Sequence, residues 1–264
     1  MEKQPHDPAL IEALRRQIAR LEDRRVALPA CPAVSEGTRV ENLFTAGQAG
    51  SATQRITDGC GPLEKLLPEG GFHPGTLVEW LAKGEGSGAT TLALAAAGAA
   101  CRDGGVLAVL DCAGEFYPPA AARAGIDLES LIVMRAAERA DANWALDQAL
   151  RCRAVAAVLA WPGHLDGRTF RRLQLAAEEG GGLGLLIRPL KARHEPSWAE
   201  VRLVVEPLPA GSPDARRRLR IHLLRCRGGT GGRSVDVEID DETRTVHPAA
   251  RMAVAAARRH TAGA

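Results

Sequence analysis

Aromatic side chains are scarce in this chain of 264 residues, with Phe, Trp and Tyr together at 3%. Lysine is scarcer still: only Lys3, Lys65, Lys83 and Lys191 occur, so 30 of the 34 basic residues are arginine. With abundant Ala and Gly, this bias fits a GC-rich genome rather than a mechanism. No apolar run approaches the ~18–20 residues that span a bilayer; the longest, Leu92–Cys101, is mostly alanine. No membrane segment is expected. The opening MEKQPHDPAL lacks the apolar stretch of an export leader, so a cytoplasmic location is expected. Six cysteines (Cys31, Cys60, Cys101, Cys112, Cys152, Cys226) stand far apart with no C-x-x-C, which argues against a zinc site and a disulfide framework. No metal is expected.

What remains is ordinary globular composition, 45% hydrophobic and 25% charged, enough for one large α/β domain with appendages or for two small domains. The net charge of +2 is unevenly spread. Residues 188–264 carry 15 Lys+Arg against 9 Asp+Glu, leaving 19 against 23 in residues 1–187. A basic C-terminal third fits an anionic partner, nucleic acid or an acidic protein surface, or simply a solvated basic face.

Asp7 and Pro8 make an N-cap and first helical residue, and Leu10, Ile11, Leu14, Ile18 and Leu21 then recur at helical spacing up to Pro29. Residues 29–61 read as a linker. From there the pattern alternates. A short helix Pro62–Leu67, a strand Thr76–Leu81, a glycine-rich turn and an Ala-rich helix Thr91–Arg102 lead to a strand Val106–Asp111 and a helix Pro119–Ala124. A strand Leu131–Arg135, a helix Ala140–Cys152, a strand Val155–Ala160, a helix Arg168–Glu178 and a strand Leu183–Ile187 follow. Strands alternating with such helices predict α/β architecture, a mostly parallel sheet covered on both faces. The segments Glu200–Glu206, Arg218–Arg225 and Ser234–Ile239 read as an antiparallel end, and Pro248 opens a last helix, Ala249–His260.

The turn Lys83-Gly84-Glu85-Gly86-Ser87-Gly88-Ala89-Thr90-Thr91 stands where a phosphate-binding P-loop belongs, between a strand and a helix. A working loop reads Gly-x-x-x-x-Gly-Lys-Ser/Thr, the lysine reaching the β- and γ-phosphates and the hydroxyl ligating magnesium. Here Ala89 takes the lysine position and Lys83 that of the first glycine. Gly86 and Gly88 still allow a backbone nest, and Thr90 keeps its hydroxyl. The segment is therefore either a degenerate nucleotide-binding loop with weak residual affinity or a glycine turn that lets strand and helix meet closely. The strand Val155–Ala160 ends in Ala160-Trp161-Pro162 where an aspartate would hold the metal shell. Asp111 does reach a C-terminal strand edge, where ligands of open α/β sheets bind, as a relic or a helix cap.

The stretch from Asp58-Gly59-Cys60-Gly61-Pro62-Leu63 through Gly70-Gly71-Phe72-His73-Pro74-Gly75-Thr76-Leu77-Val78-Glu79-Trp80 resembles the entry to the RecA core. The likeness continues through Leu107–Asp111, Ala122–Asp127 and the unit ending at Ala160. In that alignment Ala113 replaces the glutamate that activates the attacking water, and Glu115 lies two residues on. Within this superfamily the ending Leu223-Leu224-Arg225-Cys226-Arg227-Gly228-Gly229, followed by Val235-Asp236-Val237-Glu238-Ile239-Asp240, resembles the ImuA family, over roughly residues 58–247. The resemblance implies a RecA-like core over 58–247 between an N-terminal helix and linker, 1–57, and a basic C-terminal helix, 248–264. It also implies work beside ImuB, a catalytically inactive polymerase homologue, with an error-prone DnaE-type polymerase and RecA as further partners in damage-induced translesion synthesis, the SOS mutagenesis context.

Where RecA carries its DNA-binding loop, this chain has only Arg188 to Pro196. Arg188, Lys191 and Arg193 are candidates for phosphate contacts, or solvated turn charges; DNA binding is expected to be weak at most. Trp161 and Trp198 read as packing residues. Leu10, Leu14, Ile18 and Leu21 on the first helix, and Met252 with Arg251, Arg258 and Arg259 on the last, are candidate partner-binding residues, or pack on their own domain. The expectation is a non-hydrolysing adaptor contacting RecA, ImuB or both, with no catalytic residue and no cofactor. Two alternatives stay open: a P-loop NTPase with a rearranged site of Lys83, Thr90, Asp111 and Glu115, and a SulA-type cell-division inhibitor binding FtsZ.

Overall fold

The structure is a computed structural model that describes residues 61–67, 70–209, 216–229, 231–240 and 246–249, with Arg16 and Ile56. In chain order the elements are α1 Gly61–Leu66, β1 Leu77–Ala82, α2 Ala89–Ala100, β2 Val106–Leu110, α3 Pro118–Arg123, β3 Leu131–Met134, α4 Arg139–Arg151, β4 Val155–Ala160, α5 Gly167–Gly180 and β5 Leu183–Pro189. The strands β6 Val201–Leu208, β7 Arg217–Cys226, β8 Arg233–Ile239 and β9 Val246–Pro248 complete the order. They form one nine-stranded sheet among the described residues, in the order β3-β2-β4-β5-β1-β6-β7-β8-β9. Pairing is parallel from β3 to β6 and antiparallel from β6 to β9. The α/β fold is the one expected, and element boundaries differ from the expectation by at most a few residues.

Alternation along β1 explains the layers. Val78 and Trp80 join the core beneath α1, α2 and α3, while Leu77 points to the opposite core, beneath α4 and α5. The five consecutive positions from Leu77 to Leu81 are buried, as a strand covered on both faces requires. Helix α2 is built of alanines with Leu92 and Leu94, and small side chains let it lie low on the sheet. Helix α5 starts at Asp166, whose carboxylate accepts the Arg168 and Thr169 backbone N–H groups and is held below the usual carboxylate range chiefly by Thr169. Phe170, Leu173, Ala176 and Ala177 then face the sheet.

Three expectations are corrected or fall elsewhere. Pro248 is the last residue of β9, the outermost strand, where a residue without an N–H is tolerated, and the expected helix Ala249–His260 lies, Ala249 apart, outside the described residues. The stretch from Arg188 to Pro196 is not a free loop, because β5 continues to Pro189 and a 3-10 turn, Leu190–His194, follows. The partner-helix candidates Leu10, Leu14, Ile18, Leu21, Arg251, Met252, Arg258 and Arg259 lie outside the described residues. No helix among the described residues is long and apolar enough to cross a membrane. Cys101, Cys112, Cys152 and Cys226 are free thiols, and burial pushes Cys101 up to about 11.

Candidate functional site

The turn from Lys83 to Gly88 connects β1 to α2 at the C-terminal edge of the parallel strands. Gly84, Gly86 and Gly88 all have positive φ, 87°, 64° and 85°. At Gly88 a Cβ would lie 2.3 Å from Leu219 Cδ1, so glycine serves both the left-handed turn and the close passage of β7. Ser87 Oγ accepts the Ala89 N–H at 3.4 Å. The turn borders a cavity of about 610 Å³ shared with Thr90, Thr91, Trp161, Arg188 and Arg217.

Charge is arranged around this cavity in an unusual way. Ala89 is 1% exposed and stands in the first turn of α2, with no cation beside it in sequence. Lys83 is turned to β6, where its Nζ meets Glu206 Oε2 at 2.5 Å. Glu206 also holds His222 Nε2 at 3.1 Å, and these partners, Lys83 first, keep it below the usual carboxylate range. Arg217 enters from β7 and donates to Thr91 Oγ1 at 3.1 Å. Nothing in the sequence pattern singled out Arg217, which lies 126 residues from Thr91.

Asp111 does not cap a helix, since α3 begins only at Pro118. Only 3% exposed, it accepts backbone N–H groups from Gly114 at 2.9 Å, Glu115 at 3.0 Å and Phe116 at 3.1 Å, folding the turn after β2 around its carboxylate. Thr90, Asp111, Ala113 and Glu115 border a second cavity of about 400 Å³, and Lys83 does not. Three of the four residues of the rearranged site thus share one cavity, and Lys83, paired with Glu206, stands apart from them. Ala160 is fully buried at the end of β4. Trp161 keeps 38% exposure beside Phe116, and Trp198 keeps 47%, so neither is a buried packing residue.

Beneath the glycine turn lies a buried ion-pair cluster. Glu79 of β1, 0% exposed, accepts Arg188 at 2.7 Å and Arg202 Nε at 2.5 Å. Arg188 also reaches Glu195 and the Gly163 carbonyl, and Glu195 meets His164 Nδ1 at 3.0 Å. Arg202 donates to the Ala192 carbonyl at 2.9 Å and the Arg193 carbonyl at 3.3 Å, pinning the 3-10 turn to the sheet. Burial alone would push Glu195 up, but Arg188, helped by His164, holds it below its usual range. Arg188 is thus no candidate for a phosphate contact: it is 1% exposed and committed to two carboxylates. Lys191 and Arg193 are exposed on the turn. Among the described residues no three of His, Cys, Asp and Glu gather as a metal site.

Residues 41–160 match the RecA N-terminal domain. The crystal structure of the RadB recombinase shares the fold, with a TM-score of 0.58 at 19% identity over 74% of this chain and all of that one. Protein ImuA of Caulobacter vibrioides is 31% identical over 192 residues, spanning 66% of this chain and 77% of the relative. The chain belongs to the ImuA family. Protein RecA of Chlorobium chlorochromatii is similar over a shorter stretch, 36% identical over 87 residues, or 33% of this ImuA-family chain and 24% of that protein. The RecA-domain match stops at the end of β4, so the Arg188 and Arg202 arms of the ion-pair cluster lie beyond it.

Proposed function

We propose that this ImuA-family chain is a non-hydrolysing RecA-like adaptor in damage-induced translesion DNA synthesis, contacting RecA, the ImuB polymerase homologue or both through helical surfaces. A DnaE-type polymerase is reached indirectly, and DNA is bound weakly at most. The observation that carries the reading is the composition of the glycine turn and of the strand ends beside it: the nest persists, but Ala89, Ala113 and Ala160 occupy positions where phosphoryl transfer needs charge. Without those groups the developing negative charge has no preorganised stabiliser, and rates fall by orders of magnitude. A RecA-like frame retained without its chemistry fits a scaffold for partners.

The test pairs two measurements on the full chain. ATP turnover is expected at background with or without DNA, RecA and ImuB, while at least one of the two proteins binds. Deleting 1–28, or 250–264 beyond the end of β9, is expected to leave the core folded and weaken that binding. Turnover comparable to an active RecA, abolished by Thr90→Ala, overturns the non-hydrolysing reading; absence of binding to both proteins overturns the adaptor reading. Unchanged affinity after both deletions moves the interface to the core.

A further inference from the structure

The parallel strands have a second end, opposite the glycine turn, where β5, β1 and β6 begin. A groove of about 650 Å³ opens there, walled by residues 73–76 ahead of β1 and Leu77 at its start, one face of α5, residues 198–200 ahead of β6, and Arg225, Arg227 and Gly228 at the end of β7. Its backbone is fixed from several directions. Gly75 N–H donates to the Gly181 carbonyl at 3.0 Å, Glu200 N–H to Leu77 at 2.9 Å, and Arg227 N–H to Glu200 at 2.9 Å. Gly75, at φ 73°, passes so near α5 that a Cβ would lie 3.3 Å from the Ala177 carbonyl.

Two features of the lining point outward. Trp198 leaves 47% of its surface exposed, with the Arg171 guanidinium 4.8 Å from the ring centre. An indole presented this way, on a fixed backbone and stiffened by a cation, has the character of an interface anchor. The second feature is charge. Arg171 donates to the Gln174 amide oxygen, Arg225 gives an N–H to the Ser197 carbonyl at 3.3 Å, and the Arg227 guanidinium makes no ion pair among the described residues. None of the three holds a carboxylate, whereas Arg188, Arg202 and Arg220 each do. The groove's own acids are already engaged: Glu178 accepts the Gln174 amide, and Glu200 lies 3.9 Å from His73 Nε2.

We propose that this groove docks an acidic peptide segment of a protein partner, its carboxylates taken by Arg171, Arg225 and Arg227 and one apolar or aromatic side chain laid on Trp198. Spaced carboxylates suit the groove better than a nucleic-acid strand, whose charge on every residue would also face Glu178 and Glu200. The proposal rests on the adaptor reading and names the chemistry of one partner surface.

The experiment probes the full chain with short synthetic peptides in which a few Asp or Glu flank one Phe, Trp or Leu, beside neutral and basic controls, and with a labelled oligo-dT. Acidic peptides carrying the apolar residue are expected to be selected over the controls. Arg225→Glu with Arg227→Glu, and separately Trp198→Ala, are expected to weaken the best peptide about tenfold or more, a loss typical of central anchors, with unfolding temperatures unchanged. Failure to prefer acidic peptides, or a preference untouched by both variants, overturns the proposal. So does oligo-dT that competes with the peptide and weakens in the same variants, which makes the groove a nucleic-acid site. Peptide selection without affinity for RecA or ImuB sinks the adaptor reading alone; binding of either protein with no peptide selection sinks this proposal alone.

Discussion

The glycine turn and the ion-pair cluster are both built on β1, yet they treat charge differently. In the turn, the position that a phosphate-binding lysine would take is an alanine, and Lys83 is directed to Glu206 instead. In the cluster, Glu79, Arg188, Arg202 and Glu195 lie together with Glu79 and Arg188 almost fully excluded from water. The difference teaches where a charge is hard to lose. An exposed cation beside a cavity can disappear with little cost to the fold, while removing one member of a buried set strands its partners in a low-dielectric interior.

The comparison breaks most sharply at Glu79. Glu79→Ala leaves two buried guanidinium groups facing each other and is expected to cost about 3–5 kcal/mol of stability, whereas joint replacement of Glu79, Arg188 and Arg202 by apolar residues of similar volume costs far less. Urea unfolding measures both; a Glu79→Ala chain as stable as the parent would erase the contrast. Acid has a smaller effect. Glu195, Glu206 and Asp236 are all held below their usual values, which lie near about 4. Their contribution is complete above those usual values and is lost as pH falls through the lowered ones, so stability should decline below about pH 5. Glu195→Gln and Glu206→Gln should each flatten that decline in a pH series of melts. The least effect is expected at the turn itself: Ala89→Lys restores one charge but not those missing at Ala113 and Ala160, and ATP turnover stays at background in a phosphate-release assay.

The alternation of strands and helices was legible because each element carries its own period, and the glycine turn was legible because a strand, three glycines and a helix are contiguous. Arg188 was not. Its position at a strand end with Lys191 and Arg193 nearby reads as a basic loop, and only sheet register reveals that Glu79 pairs with Arg202 and that Arg188 lies opposite the next inward position, Leu81. Asp111 was found at the right edge but its role was missed, since three backbone donors within five residues leave no side-chain pattern to read. Pro248 obeyed the rule for a first helical residue and also the rule for an outer strand; the pairing of β9 with β8 decides between them. The groove around Trp198 draws on residues from four distant stretches, so no local pattern announces it.

The ion-pair cluster also sets an order of events during synthesis. Glu79 leaves the ribosome 109 residues before Arg188 and 123 before Arg202. Strand β1 therefore emerges into water with its carboxylate uncompensated and both of its neighbours still to be translated. Early pairing of β2 with β3 and β4 needs only nearby chain, but the centre of the sheet must stay open until β6 arrives. Closure by such remote contacts is slow and leaves apolar strands uncovered meanwhile. A nascent chain stalled short of residue 208 would hold a sheet missing its β6 side, and a protease added at that stage would find β1 still accessible.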